Sequence, residues 1–163
     1  MRSRATISAD RYPPNNFEEK GQAMSKLWNT SLTTGVPLMD EQHKALIARI
    51  ETFDSLCATG QTHRALDELL PQLKDYVQYH FSAEEELMQR LAHDYAQLEE
   101  HMAMHQRFFT RIVEMETQRE DWGDLQAAMR IRTYLHDWLV QHIAGTDQAL
   151  ARQLLGQHAV RPH

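Results

Sequence analysis

The stretch His80-Phe81-Ser82-Ala83-Glu84 constrains this chain more than any other. Positions four apart on an α-helix lie about 40° from each other around the axis. An imidazole and a carboxylate at that spacing therefore leave neighbouring turns in the same direction. His101 and His105 repeat the spacing, His43 stands on a further apolar stripe, and Asp147 follows His142 by five residues. Ten histidines in 163 residues is an unusual supply of the side chain most often used to hold transition metals. The pattern predicts helices that each present metal ligands to one interior.

Taken in order, residues 1–23 are polar, contain Pro13-Pro14-Asn15-Asn16 and show no period, so they are expected to form a disordered, flexible N-terminal extension. Met24 resembles a natural start of translation. Asp40 is the expected N-cap of a first helix carrying Leu46, Ile47, Ile50, Phe53, Leu56 and Cys57, closed by Gly60. Thr62 is the expected cap of a second, with Leu66, Leu69, Leu70, Leu73, Val77 and Phe81 inward and either a kink or a fresh start at Pro71. Glu84 is the inward member of the Glu84-Glu85-Glu86 run, with Glu85 and Glu86 expected in solvent. A third helix carries Leu98, His101, Met102, His105, Phe108, Phe109, Ile112 and Met115; a fourth carries Leu125, Met129, Tyr134, Leu135, Trp138, Leu139 and His142. On one continuous helix a five-residue offset is about 140°, which separates His142 from Asp147. A break at Gly145, with Thr146 capping a short last helix, would restore a shared face. Residues 156–163 are expected to form a loose tail. The prediction is an all-α, antiparallel up-down-up-down four-helix bundle over residues 24–155.

Composition narrows the function. A formal net charge of −6 argues against a nucleic-acid partner. No apolar run reaches the length of a membrane span, and no signal peptide follows the N-terminal arginines. A reducing cytoplasm is the default expectation. Cys57 is the only cysteine, which leaves no intrachain disulfide and no thiolate-rich metal site. It reads as a small core residue.

Seven groups remain: His43, His80, Glu84, His101, His105, His142 and Asp147. Seven exceed the four to six ligands of a single ion, whereas two ions bridged by the two carboxylates use all of them. Imidazole-rich, sulfur-free coordination suits iron, and zinc or copper less specifically. The chain lacks His-Glu-x-x-His and the repeated Glu-x-x-His of carboxylate-rich di-iron bundles. Mostly neutral donors favour reversible oxygen binding over oxygen activation. His63, His93, His136, His158 and His163 match no ligand position and read as ordinary surface or hydrogen-bonded histidines.

From Trp28 to Leu150 the chain resembles the hemerythrin family, most closely its single-domain bacterial members. The resemblance is carried by Asp40-Glu41-Gln42-His43, His80-Phe81-x-x-Glu84, His101-x-x-x-His105-x-x-Phe108 and Trp138-Leu139-x-x-His142-Ile143-x-x-x-Asp147. The chain departs from the family in its leader and at Gly145-Thr146, where members often carry a proline; neither departure touches a ligand. The resemblance implies a pair of iron ions with a solvent-derived bridge. His101, His105 and His142 would saturate one, and His43 and His80 would leave the other an open position for dioxygen. Glu84 and Asp147 would bridge. Phe81, Trp138, Leu139 and Leu46 would wall a dry oxygen pocket.

Three functions of different class share such a centre. One is an oxygen carrier, store or delivery protein. Another is an enzyme acting on peroxide or nitric oxide, or repairing iron–sulfur clusters. The third is an oxygen or redox sensor. The chain shows no fused output domain and no extra acid or base clearly placed at the open ion, which favours the carrier. Tyr76 and Tyr79 lie near His80 in sequence only.

Overall fold

A computed structural model describes residues 27–91 and 94–159, with the side chains of 157–159 excepted. Among the described residues there is no strand. The expected extension over 1–23 and its start at Met24 lie outside them, as do His93, His163 and the side chain of His158.

A short 3-10 turn, Thr30–Leu32, leads into helix α1, Pro37–Ala58. Helices α2, Leu70–Leu91, α3, Leu98–Thr117, α4, Asp124–Gln141, and α5, Gln148–Ala159, follow. The first four form the antiparallel bundle: α1 packs on α2 and α4, and α3 packs on the same two from the other side. α5 lies against α2.

The ends of the elements correct several expectations. α1 starts at Pro37, not Asp40, because proline at the first helical position loses no hydrogen bond and arrives with its φ already helical. Asp40 sits in the first turn, where its carboxylate accepts hydrogen bonds from Thr34 N (2.7 Å), Thr34 Oγ1 (2.8 Å) and Gly35 N (3.1 Å), tying the entry loop back onto the helix. At the other end Gly60 N reaches Cys57 O and Gln61 N reaches Leu56 O, a Schellman closure. It needs a left-handed residue, and Gly60 has φ +75°.

Thr62 is not a cap; it lies inside a turn, Thr62–Arg64, that runs through a π-helical stretch, Ala65–Leu69, into α2 without interruption. The α-helical part of α2 does start beside Pro71, at Leu70, but a helical stretch rather than a separate turn precedes it. The missing N–H of Pro71 and its ring demand a looser preceding turn, and the widened stretch supplies one. The break predicted at Gly145 is absent. His142–Asp147 is a second π-helical stretch joining α4 to α5, so Thr146 caps nothing. Gly156 does not begin a loose tail either, since α5 continues through Ala159. Leu125 and Met129 point outward, 64% and 43% exposed, and the small Ala127 and Ala128 with Ile131 take the inner face of α4.

Two apolar clusters fill the interior. The larger contains Leu46, Ile47, Ile50, Leu73, Val77, Phe81, Phe108, Ile112, Ile131, Leu135 and Leu139. The smaller, at one end of the bundle, contains Met39, Met88, Leu91, Tyr95, Leu150 and Ala151. Along each helix the predicted ligands fall between them: Met39, His43, Leu46 on α1 and Met88, Glu84, His80, Val77 on α2. A polar layer therefore separates two apolar ones.

Candidate metal centre

All seven predicted ligand residues meet in that layer, and all are buried; His43, Glu84, His101 and Asp147 have no exposure at all. The π-helical stretch explains how His142 and Asp147 share it. Hydrogen bonding from i to i+5 puts about one more residue into each turn, so positions five apart return to one face. The anomalous spacing in the sequence is the spacing of this turn.

The two carboxylates divide the site. Glu84 Oε1 lies 3.3 Å from His43 Nε2 and 3.4 Å from His80 Nε2, and its Oε2 lies 3.4 Å from His105 Nε2 and 3.6 Å from His101 Nε2. Asp147 Oδ2 lies 3.0 Å from His43 Nε2, and its Oδ1 lies 3.0 Å from His142 Nε2 and 3.1 Å from His101 Nε2. Each carboxylate thus turns one oxygen to the His43 and His80 side and the other to the three-histidine side. Two groups that could each hold a metal ion result: His43, His80, Glu84 and Asp147, and Glu84, His101, His105, His142 and Asp147.

The donor set fits cations. None of the four carboxylate oxygens has a hydrogen-bond partner, and each faces only imidazole nitrogens, so two buried negative charges and inward-turned nitrogens share one space that a cation would satisfy. On the three-histidine side, His142 Nε2 lies 3.2 Å from both His101 Nε2 and His105 Nε2. Nitrogens at right angles around one ion, with bonds of about 2.1 Å, would stand about 3.0 Å apart.

Local electrostatics already reflect the buried negative charge. Burial works against a charge on His43 and on His101, but the facing Asp147 and Glu84 outweigh it and raise both to about 9. His105 is raised by Glu84 and Glu85 against the same burial. For His80 burial wins over Glu84, and its value falls to about 4. Burial pushes Glu84 and Asp147 upward, and the charge of Asp147 adds to this at Glu84, yet the surrounding imidazoles hold both well below the usual carboxylate range. Ionised carboxylates are the form that binds metal, and protons on the imidazoles compete with it.

The outer partners were not read from the sequence. His80 Nδ1 meets Gln42 Oε1 at 2.9 Å, His101 Nδ1 meets the Tyr95 hydroxyl at 3.0 Å, and His105 Nδ1 meets Glu85 Oε1 at 3.1 Å. Such contacts fix which ring nitrogen faces the centre. Glu85, expected in solvent, is half-buried for this reason. Phe81 stacks on His105 at 3.7 Å between centroids and Trp138 on His142 at 4.2 Å. Beside them lies an apolar cavity of ≈ 10 Å³ lined by Leu46, Phe81, Trp138 and Leu139, together with Ile50, Val77, Phe108 and Leu135. His63 pairs with Asp67 and His136 with Asp54, both away from the centre.

The family model for the hemerythrin HHE cation binding domain matches residues 34–154. The chain belongs to the hemerythrin family. Among its relatives in that family, a bacteriohemerythrin of Stenotrophomonas maltophilia is 30% identical over 128 residues, covering 78% of this chain and 80% of the relative. A hemerythrin-like protein of Naegleria gruberi is 32% identical over 120 residues, 74% of this chain and 86% of the relative. A bacteriohemerythrin of Methylococcus capsulatus is 29% identical over 115 residues, 71% and 85% of the respective chains. The hemerythrin domain spans all seven residues of the cluster. No described helix is long and apolar enough to cross a membrane.

Proposed function

We propose that this hemerythrin-family chain holds two iron ions in the polar layer and binds dioxygen reversibly there, as a carrier, store or delivery protein. The observation that carries the reading is the unequal division of donors. Glu84 and Asp147 offer oxygens to both sides, while three histidines stand on one side and two on the other. Five donors around one ion and four around its neighbour leave the His43 and His80 side short of a full shell. The iron pair, when bound, supplies the electrons that hold dioxygen and are recovered on its release.

The chain's own residues do the rest. Leu46, Phe81, Trp138 and Leu139 line an apolar cavity, and two of them stack on the cluster histidines His105 and His142; such a cavity admits a small uncharged guest and disfavours water. Gln42 holds His80 in the ring orientation that points Nε2 inward. Every side chain lining the cavity is aliphatic or aromatic. None is placed there to deliver a proton, which supports binding without turnover over peroxide or nitric-oxide chemistry.

The test is optical. Reduced, iron-loaded protein in a sealed cell should develop a charge-transfer band on adding oxygen and lose it on removing oxygen, over several cycles. Irreversible oxidation in the first cycle, with consumption of added peroxide or nitric oxide, would replace the carrier with the enzyme.

A further inference from the structure

An imidazole that turns Nε2 toward the cluster keeps its hydrogen on Nδ1, and the acceptor of that hydrogen sets how strongly the ring donates. Three such acceptors are defined here, and they differ in charge. His80 donates to the amide oxygen of Gln42, His101 to the hydroxyl of Tyr95 and His105 to the carboxylate of Glu85. His43 Nδ1 has no hydrogen-bond partner. The one charged acceptor of the three thus serves the three-histidine side, and the His43 and His80 side has a neutral amide.

Glu85 is well placed for this. It follows Glu84 on α2, about 100° further round the helix, so one helix sends a shared carboxylate into the centre and a second carboxylate to the back of a ligand. Its side chain is 28% exposed against 2% for His105. Its charge is partly shielded from water on the histidine side, and its desolvation cost stays modest because part of it reaches solvent.

Resting on the di-iron reading above, we propose that Glu85 is a positioning residue that acts through His105. It makes the three-histidine ion the more electron-rich of the pair and stabilises that ion's oxidised state. The asymmetry of the centre is then electronic as well as a matter of donor number.

The experiment compares the full chain with Glu85→Gln and Glu85→Leu, each loaded with iron. Two quantities are read: iron retained against a chelator, and the midpoint potential of the centre by spectroelectrochemical titration. Glutamine keeps an acceptor oxygen for His105 and removes the charge; leucine removes both. Glu85→Gln should retain iron like the parent while its midpoint potential moves to a more positive value. Glu85→Leu should show the same shift and a loss of about 10- to 100-fold in metal affinity. An unmoved potential in Glu85→Gln overturns the proposal, leaving Glu85 as a mere hydrogen-bond acceptor. Should the leucine variant fail to fold, the glutamine variant decides alone. A parent that takes up no iron overturns both the proposal and the reading beneath it; a two-iron parent with an unmoved variant overturns the proposal only.

Discussion

Leu139→Asn tests whether the apolar cavity protects the proposed metal centre. Leu139 is 4% exposed and lines a cavity of ≈ 10 Å³. Losing its apolar burial costs about 1.5–3 kcal/mol, and an amide set among hydrocarbon without a partner costs about 1–3 kcal/mol more. A recruited water offsets part of the second cost, and the cavity is about large enough for one. A net loss of about 3 kcal/mol lowers Tm by roughly 6–12 °C in a domain of this size, so the variant should remain folded at 25 °C. That same water should speed autoxidation of the oxygenated protein by about tenfold, equivalent to about 1.4 kcal/mol in the barrier. Leu73→Asn is the control: Leu73 is 1% exposed in the same core and does not line the cavity. Both variants should lose similar stability in a melting experiment. Only Leu139→Asn should lose its oxygen-dependent band faster than the parent. Equal acceleration in both would show that general loosening, not water at the centre, controls oxidation.

Three further perturbations probe other links. Glu84→Ala removes the oxygens facing both sides of the site and should leave fewer than two metal ions per chain by elemental analysis, whereas Glu86→Ala, at an exposed position, should keep the parent's content. Gly123 has φ 77° and ψ 163°, a region nearly closed to other residues, so Gly123→Ala should cost about 1–3 kcal/mol by urea denaturation although nothing blocks a Cβ there; an unchanged midpoint would contradict the strain. Asp67 and Asp124 are both lowered chiefly by their hydrogen bonds to Arg119. A lowered carboxylate contributes stability that is fully present above the ordinary Asp range and is lost as pH falls through the lowered value. Arg119→Gln should therefore flatten the acid limb of the stability–pH curve in chelator-treated protein, and an identical limb would show that this surface cluster contributes nothing.

Much of the centre was legible because helical spacing writes it into the sequence. His80 with Glu84 and His101 with His105 need only the four-residue rule. His142 and Asp147 break that rule; a helix break at Gly145 would reunite them, and the chain uses a wider turn instead. Composition does not separate the two, because a glycine such as Gly145 suits either. Pro71 marks the start of the α-helical part of α2, but nothing in its residue type announces the π-helical stretch before it. At Asp40 a plausible capping residue competed with Pro37, and the proline's fixed φ prevailed. On α4 the larger Leu125 and Met129 fit an apolar stripe, but the inner face is filled by the smaller Ala127 and Ala128. The acceptors behind the histidines were hidden for a different reason. Gln42 and Glu85 reach rings 38 and 20 residues away, contacts that exist only once the bundle has formed.

The central claim is that one chain carries a pair of iron ions in unlike surroundings, joined through Glu84 and Asp147. Mössbauer spectroscopy of protein loaded with ⁵⁷Fe, oxygenated and oxygen-free, measures this directly when combined with iron per chain. The account predicts two irons per chain, magnetically coupled, with two inequivalent sites distinguishable in the oxygenated sample. A single iron per chain, or two uncoupled irons with identical parameters whether or not oxygen is present, would contradict it.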